Sequence, residues 1–115
     1  MIANGVSELV QESIKLELEN IKKKWGDTYN STHEGYAVLL EEVEEVEQEV
    51  EYLETYLRIL WNKIKNNFES IKNTDNAAEL MCIVMNAKNL AEESIQVAAV
   101  AEKFIQTIDL KGVED

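Results

Sequence analysis

A chain of 115 residues, 45% of them hydrophobic, is long enough for one domain with a modest core and too apolar for a disordered acidic tail. Its formal net charge of -12 disfavours direct binding to nucleic acid or to an anionic membrane, whose phosphates it repels. Divalent cations, basic protein partners and plain solubility remain as uses for that charge.

With no proline and only four glycines, the chain reads as all-α. The start, MIANGVSELVQE, has neither a basic segment nor an apolar one, so no signal peptide is expected. No apolar run approaches the ~18 residues of a membrane span. A cytoplasmic location follows as the expectation.

The first helix is predicted over Val6 to Trp25, where apolar residues recur at Val6, Leu9, Val10, Ile14, Leu18, Ile21 and Trp25. Three lysines, Lys22 to Lys24, suit the negative end of the helix dipole, and Gly26 is placed to stop it. After the loop comes Ser31-x-x-Glu34, a capping box for a second helix. The only histidine, His33, sits at that helix start, where a solvent-facing bystander and a proton shuttle are both open readings.

Beyond the cap, Tyr36, Leu39, Val43, Val46, Val50, Leu53, Leu57, Leu60, Ile64 and Ile71 alternate three- and four-residue steps. This is a heptad seam, interrupted by Asn67. Seven of the eleven residues from Glu41 to Glu51 are glutamates on the flanks of that seam. They can solvate a helix face, hold a metal, or meet a basic partner. Crowded like charges at i,i+3 and i,i+4 each cost a few tenths of a kcal/mol, so a cation would relieve them.

The chain is expected to turn within Lys65 to Asn76, a stretch with four asparagines. A third helix is predicted over about Ala77 to Leu110. It is apolar on most sides from Leu80 to Ala101 and is therefore expected to be the central one. Small residues at Ala98 to Ala101 would allow close helix approach. The lone cysteine, Cys82, excludes an internal disulfide, points to a reducing compartment, and is expected as a buried, inert thiol. Glu92, Glu93 and Gln96 interrupt this apolar helix and need partners.

Glu42-x-x-Glu45 and Glu93-x-x-Gln96 each put two oxygen-bearing side chains one turn apart on a helix face. Facing one another, they would offer Mg²⁺ or Mn²⁺ an all-oxygen environment of the kind bundles build from facing helices. Glu41 and Glu92 could be outer ligands or the base that takes a proton from an attacking water. Geometry restricts this reading. With the second helix unbroken to Asn73, the two pairs would miss by ~15 Å at ~1.5 Å per residue. Convergence therefore requires a break around Lys65 to Asn67, or a site completed by another subunit.

At these residues the chain resembles the MazG-like all-α nucleotide pyrophosphohydrolases, most closely the small versions found in phages and prophages. The resemblance covers roughly Lys23 to Val50 and Ala91 to Ile108. The family signature EExxE is matched by Glu41, Glu42 and Glu45. Its second signature, ExxD, corresponds to Glu93-Ser-Ile-Gln96, with Gln96 in place of the aspartate. The resemblance implies metal-dependent cleavage of a nucleoside triphosphate to the monophosphate and pyrophosphate. Glu42, Glu45, Glu93 and Gln96 would hold the metal, Glu41 would be the catalytic residue, and the protomers would assemble as a homo-oligomeric bundle. Trp25, Tyr29 and Tyr36 are candidates for stacking on a base.

A second reading is a non-catalytic acidic interaction protein, such as a phage inhibitor or a mimic of nucleic-acid charge. It would engage a basic protein partner, with Tyr52, Tyr56 and Trp61 as interface anchors or as part of a dimer seam. The expected architecture is the same in both cases: a single domain over residues 1–115, an all-α three-helix protomer with long antiparallel helices, assembling as a homo-oligomer.

Overall fold

Local signals set the helix ends. In the computed structural model, which describes residues 1–66 and 77–111, α1 spans Val6–Trp25, α2 Thr32–Asn66 and α3 Ala78–Lys111. No strand occurs among the described residues. Gly26 ends α1 with φ 96°, a left-handed value that favours glycine, and its N–H donates to the Lys22 carbonyl at 2.8 Å. Ser31 Oγ accepts the Glu34 N–H at 3.1 Å, as the capping box requires. The return bond differs from the standard box. Glu34 reaches one residue further back, accepting the Asn30 N–H at 3.0 Å and the Asn30 side-chain amide at 3.1 Å.

The chain divides into two compact units, Met1–Glu44 with Glu93–Asp115, and Glu45–Glu92. The first contains α1, the start of α2 and the second half of α3. Leu18, Tyr29, Ala99 and Val100 form its buried apolar centre, and Ala99 is fully covered. Gly35 of α2 is buried where α2 meets α3, and a Cβ there would lie 3.0 Å from the Phe104 ring. The loop is tied to α3 through Thr107, whose hydroxyl accepts the Tyr29 N–H at 3.0 Å and donates to the Lys103 carbonyl at 2.8 Å. Lys22 of α1 donates to Gln106 at 2.9 Å.

The second unit is a pair of antiparallel helices. The half-buried residues of α2 here are Val46, Glu49, Leu53, Tyr56, Leu60, Lys63 and Ile64, and all but Ile64 follow the alternation of steps that marks a heptad. Asn86 of α3 donates to Glu49 at 2.8 Å, and Lys63 pairs with both oxygens of Glu79 at 2.9 and 3.0 Å. Three of the nine predicted seam residues that are described lie elsewhere. Val50 and Leu57 are exposed, as Tyr36 is in the first unit, while Glu49 and Tyr56 take the inward positions. Two helices can cover only one stripe of each other. Accordingly no apolar side chain among the described residues of this unit is buried.

The third helix is central only in its second half, which supplies Ala99, Val100, Lys103 and Thr107 to the interior. In its first half Leu80, Met81, Val84 and Met85 are all exposed. Cys82 is half-buried rather than buried. Lys65 and Asn66 are still helical, and the rest of the predicted turn, including Asn67 and Ile71, lies outside the described residues. No helix among the described residues is long and apolar enough to cross a membrane.

Candidate functional site

One turn of α2 separates Glu42 from Glu45, and one turn of α3 separates Glu93 from Gln96, so each pair shares a helix face. In the first unit the faces meet at Glu42 and Glu93, whose carboxylate oxygens approach within 4.8 Å, with one oxygen of each buried. The register demanded by the metal reading is thus present at these two residues. Glu45 follows one turn further along the same unbroken helix and is exposed.

Gln96 behaves differently. It is half-buried, and its amide nitrogen donates to Glu17 of α1 at 3.1 Å. Glu41 and Glu92 are exposed and stand outside the glutamate group. Of the remaining acidic residues, Glu44, Glu47, Glu51 and Glu54 are solvated, whereas Glu49 is taken up by Asn86. His33 is exposed.

Beside Glu42 the first unit holds a cavity of about 630 Å³, with Glu17, Trp25, Tyr29, Gln96 and Lys103 also on its wall. That is the size of a small-molecule pocket. Lys103 is only 2% exposed, and its ammonium lies 4.2 Å over the Tyr29 ring, a cation–π contact. Phe104 meets the same ring edge-on, with centroids 6.2 Å apart. Burial pushes the Lys103 pKa below its usual value, against the opposing pull of Glu34 and Asp27. Burial also raises the Tyr29 hydroxyl, and Glu42 and Glu34 push it in the same direction. Trp25 sits exposed on the cavity wall, Tyr29 is buried, and Tyr36 is not among its lining residues.

Lys103 and Glu17 escaped the motif reading. Lys103 had a signal nonetheless: Glu93, Gln96, Val100, Lys103 and Thr107 are successive members of one stripe of α3, at alternating three- and four-residue steps. Glu17 had none, because its role depends on a partner 79 residues away.

Comparison of the chain with models of protein families, with curated proteins and with solved structures finds no match.

Proposed function

We propose that this chain is a divalent-cation-dependent nucleoside triphosphate pyrophosphohydrolase of the MazG-like type, working as a homo-oligomer. The observation that carries the reading is the approach of Glu42 to Glu93 from two different helices, with Glu45 one turn along. Two partly buried carboxylates held this close repel when both are ionised, and a cation between them would relieve that repulsion. Their donors are all oxygen, the set preferred by Mg²⁺ and Mn²⁺, so the residues fit the metal. A divalent cation held there would offset the charge of a triphosphate and favour ionisation of a water. Glu42 and Glu93 supply fixed anchor points, and exposed Glu45 is the ligand open to solvent and substrate. Glu41, also exposed, is placed one residue before the anchor and would accept the proton of the attacking water. Gln96 offers only a neutral amide oxygen in place of the motif's carboxylate, a weaker ligand, and its amide nitrogen donates to Glu17.

The second unit supports the homo-oligomer. Val50, Leu57 and Trp61 on α2, with Met81, Val84 and Met85 on α3, leave apolar surface that a single hairpin has no means to cover. A second hairpin of the same kind would complete a four-helix bundle.

The test is pyrophosphate release from a panel of ribo- and deoxyribonucleoside triphosphates with Mg²⁺ or Mn²⁺. Turnover should appear with at least one nucleotide and vanish in Glu45→Ala, an exposed position whose loss leaves packing intact. Absence of turnover on every nucleotide would overturn the enzyme and favour the second reading, a binding protein. That reading draws its support from the solvated glutamates at 41, 44, 47, 51 and 54 of α2.

A further inference from the structure

Lys103 is the only buried charged side chain among the described residues. Taking an ammonium out of water is costly unless something compensates it, and an ammonium has three protons to donate. The Tyr29 ring face covers one side of it. Glu34 and Asp27 favour its charged form, and each Glu34 oxygen already accepts one hydrogen bond from Asn30. Lys103 is also on the wall of the 630 Å³ cavity, with Glu42 on that same wall. A helix interior offering small or apolar residues at Ala99 and Val100 gives no packing reason for a lysine at the next inward step.

The rest of the wall is chemically mixed. Ile21, Val38 and Val100 are apolar, Asn20 and Asn30 bring amides, Trp25, 72% exposed, presents an indole, and Lys24 adds a second ammonium against the carboxylates of Glu17 and Glu34. A buried cation, an aromatic plate and amide groups around apolar walls suit a planar heteroaromatic that carries an anionic group.

We infer that this cavity is a nucleoside monophosphate pocket, with Lys103 receiving a phosphate oxygen and Trp25 stacking on the base. The inference rests on the pyrophosphohydrolase reading for the choice of nucleotides. It adds to that reading the residues that hold the product half of the substrate. With phosphate on Lys103, the apolar and amide groups of the wall are left for base and sugar.

The pocket reports on itself through Trp25. In a Trp61→Phe protein Trp25 is the only tryptophan, and Trp61 is an exposed residue of the other unit. Fluorescence titrations in EDTA with nucleoside monophosphates, the matching nucleosides, inorganic phosphate and pyrophosphate separate the contributions. A monophosphate should quench Trp25 saturably, at least tenfold more tightly than its nucleoside or phosphate alone. Lys103→Met should bring the monophosphate down to nucleoside affinity, with helix content by circular dichroism unchanged. Equal affinity for nucleoside and nucleotide in the unsubstituted pocket overturns the inference, whether or not Lys103→Met folds. So does the absence of any quenching at millimolar nucleotide. Pyrophosphate release without quenching would leave the hydrolase reading standing and sink the pocket. Quenching without release does the reverse.

Discussion

Gln96 of α3 donates its side-chain amide to Glu17 of α1 across 3.1 Å, so the departure from the acidic motif is built into the packing of two helices. An aspartate here would be one methylene shorter, would lack the donor, and would set a second negative charge against Glu17. Gln96→Asp should therefore cost about 1–3 kcal/mol of stability in EDTA. In MgCl₂ the same variant should regain more stability than wild type does, because it adds a carboxylate beside Glu93. Thermal denaturation with and without Mg²⁺ measures both. Equal melting temperatures for the variant and wild type in EDTA would remove Glu17 from the account.

Glu42 and Glu93 give a prediction of opposite sign. With oxygens no more than 4.8 Å apart and an effective dielectric constant of about 20, two ionised carboxylates repel by on the order of 3 kcal/mol. Partial solvent exposure and proton sharing reduce that figure. Glu93→Gln should accordingly stabilise the cation-free protein by about 1 kcal/mol. Added Mg²⁺ should raise the melting temperature of wild type by mass action and leave the variant unmoved. A variant less stable than wild type in EDTA would mean that the pair is held by something other than a site for a cation.

The close approach of Gly35 to Phe104 can be probed from either side. Alanine is the better helix former by about 1 kcal/mol, but its Cβ would press on three ring atoms at 3.0 Å. The ring is itself held by its edge contact with Tyr29. Overpacking of this kind costs about 1–3 kcal/mol, so Gly35→Ala should be a net loss of roughly 1 kcal/mol. In the double variant Gly35→Ala, Phe104→Leu, the two costs should fall short of additive, as measured by urea denaturation. Strict additivity would place the ring out of reach of residue 35.

The hairpin of the second unit should weaken in acid through Glu79. The hydrogen bond from Lys63 is the main cause holding that carboxyl below its ordinary 4.5, so folding is favoured fully above 4.5 and loses this support as pH falls through the lower folded value. Urea midpoints for wild type and Glu79→Gln should differ at pH 7 and converge as the pH falls below the lowered folded value. Because the pair is solvent-screened the difference will be small, and its pH dependence is the informative part.

What could be read from the sequence was what neighbouring residues decide among themselves. The ends of α1, the Gly26 stop and the Ser31 cap depend on spacing within one or two turns, and all three are found as expected. Apolar periodicity located the long helices but assigned their inner face only in part. Leu39, Val46, Leu53 and Leu60 are half-buried, whereas Tyr36, Val50 and Leu57 are exposed and Glu42, Glu49 and Tyr56 take the inward places. An apolar stripe marks a surface to be covered without saying by what, and one chain here covers only one edge of it. Glu42 and Glu45 were legible through their one-turn spacing, and Glu93 because a carboxylate in an apolar helix is chemically out of place. Lys103 shared a stripe of α3 with Val100 and Thr107, yet nothing within four residues reveals that a tyrosine from the α1–α2 loop closes over it.

The inward polar residues of the hairpin have a consequence for how these helices can change length. Asn86 meets Glu49 and Lys63 meets Glu79, so sliding one helix by a heptad would bring Tyr56 opposite Asn86 and deprive that buried amide of its acceptor. A seam of leucines would tolerate such slippage, whereas this one is keyed at two points. Insertions or deletions in either arm should therefore survive only as matched seven-residue steps in both. Length variation among descendants of this chain would come in whole heptads, or else be confined to the connection between the arms.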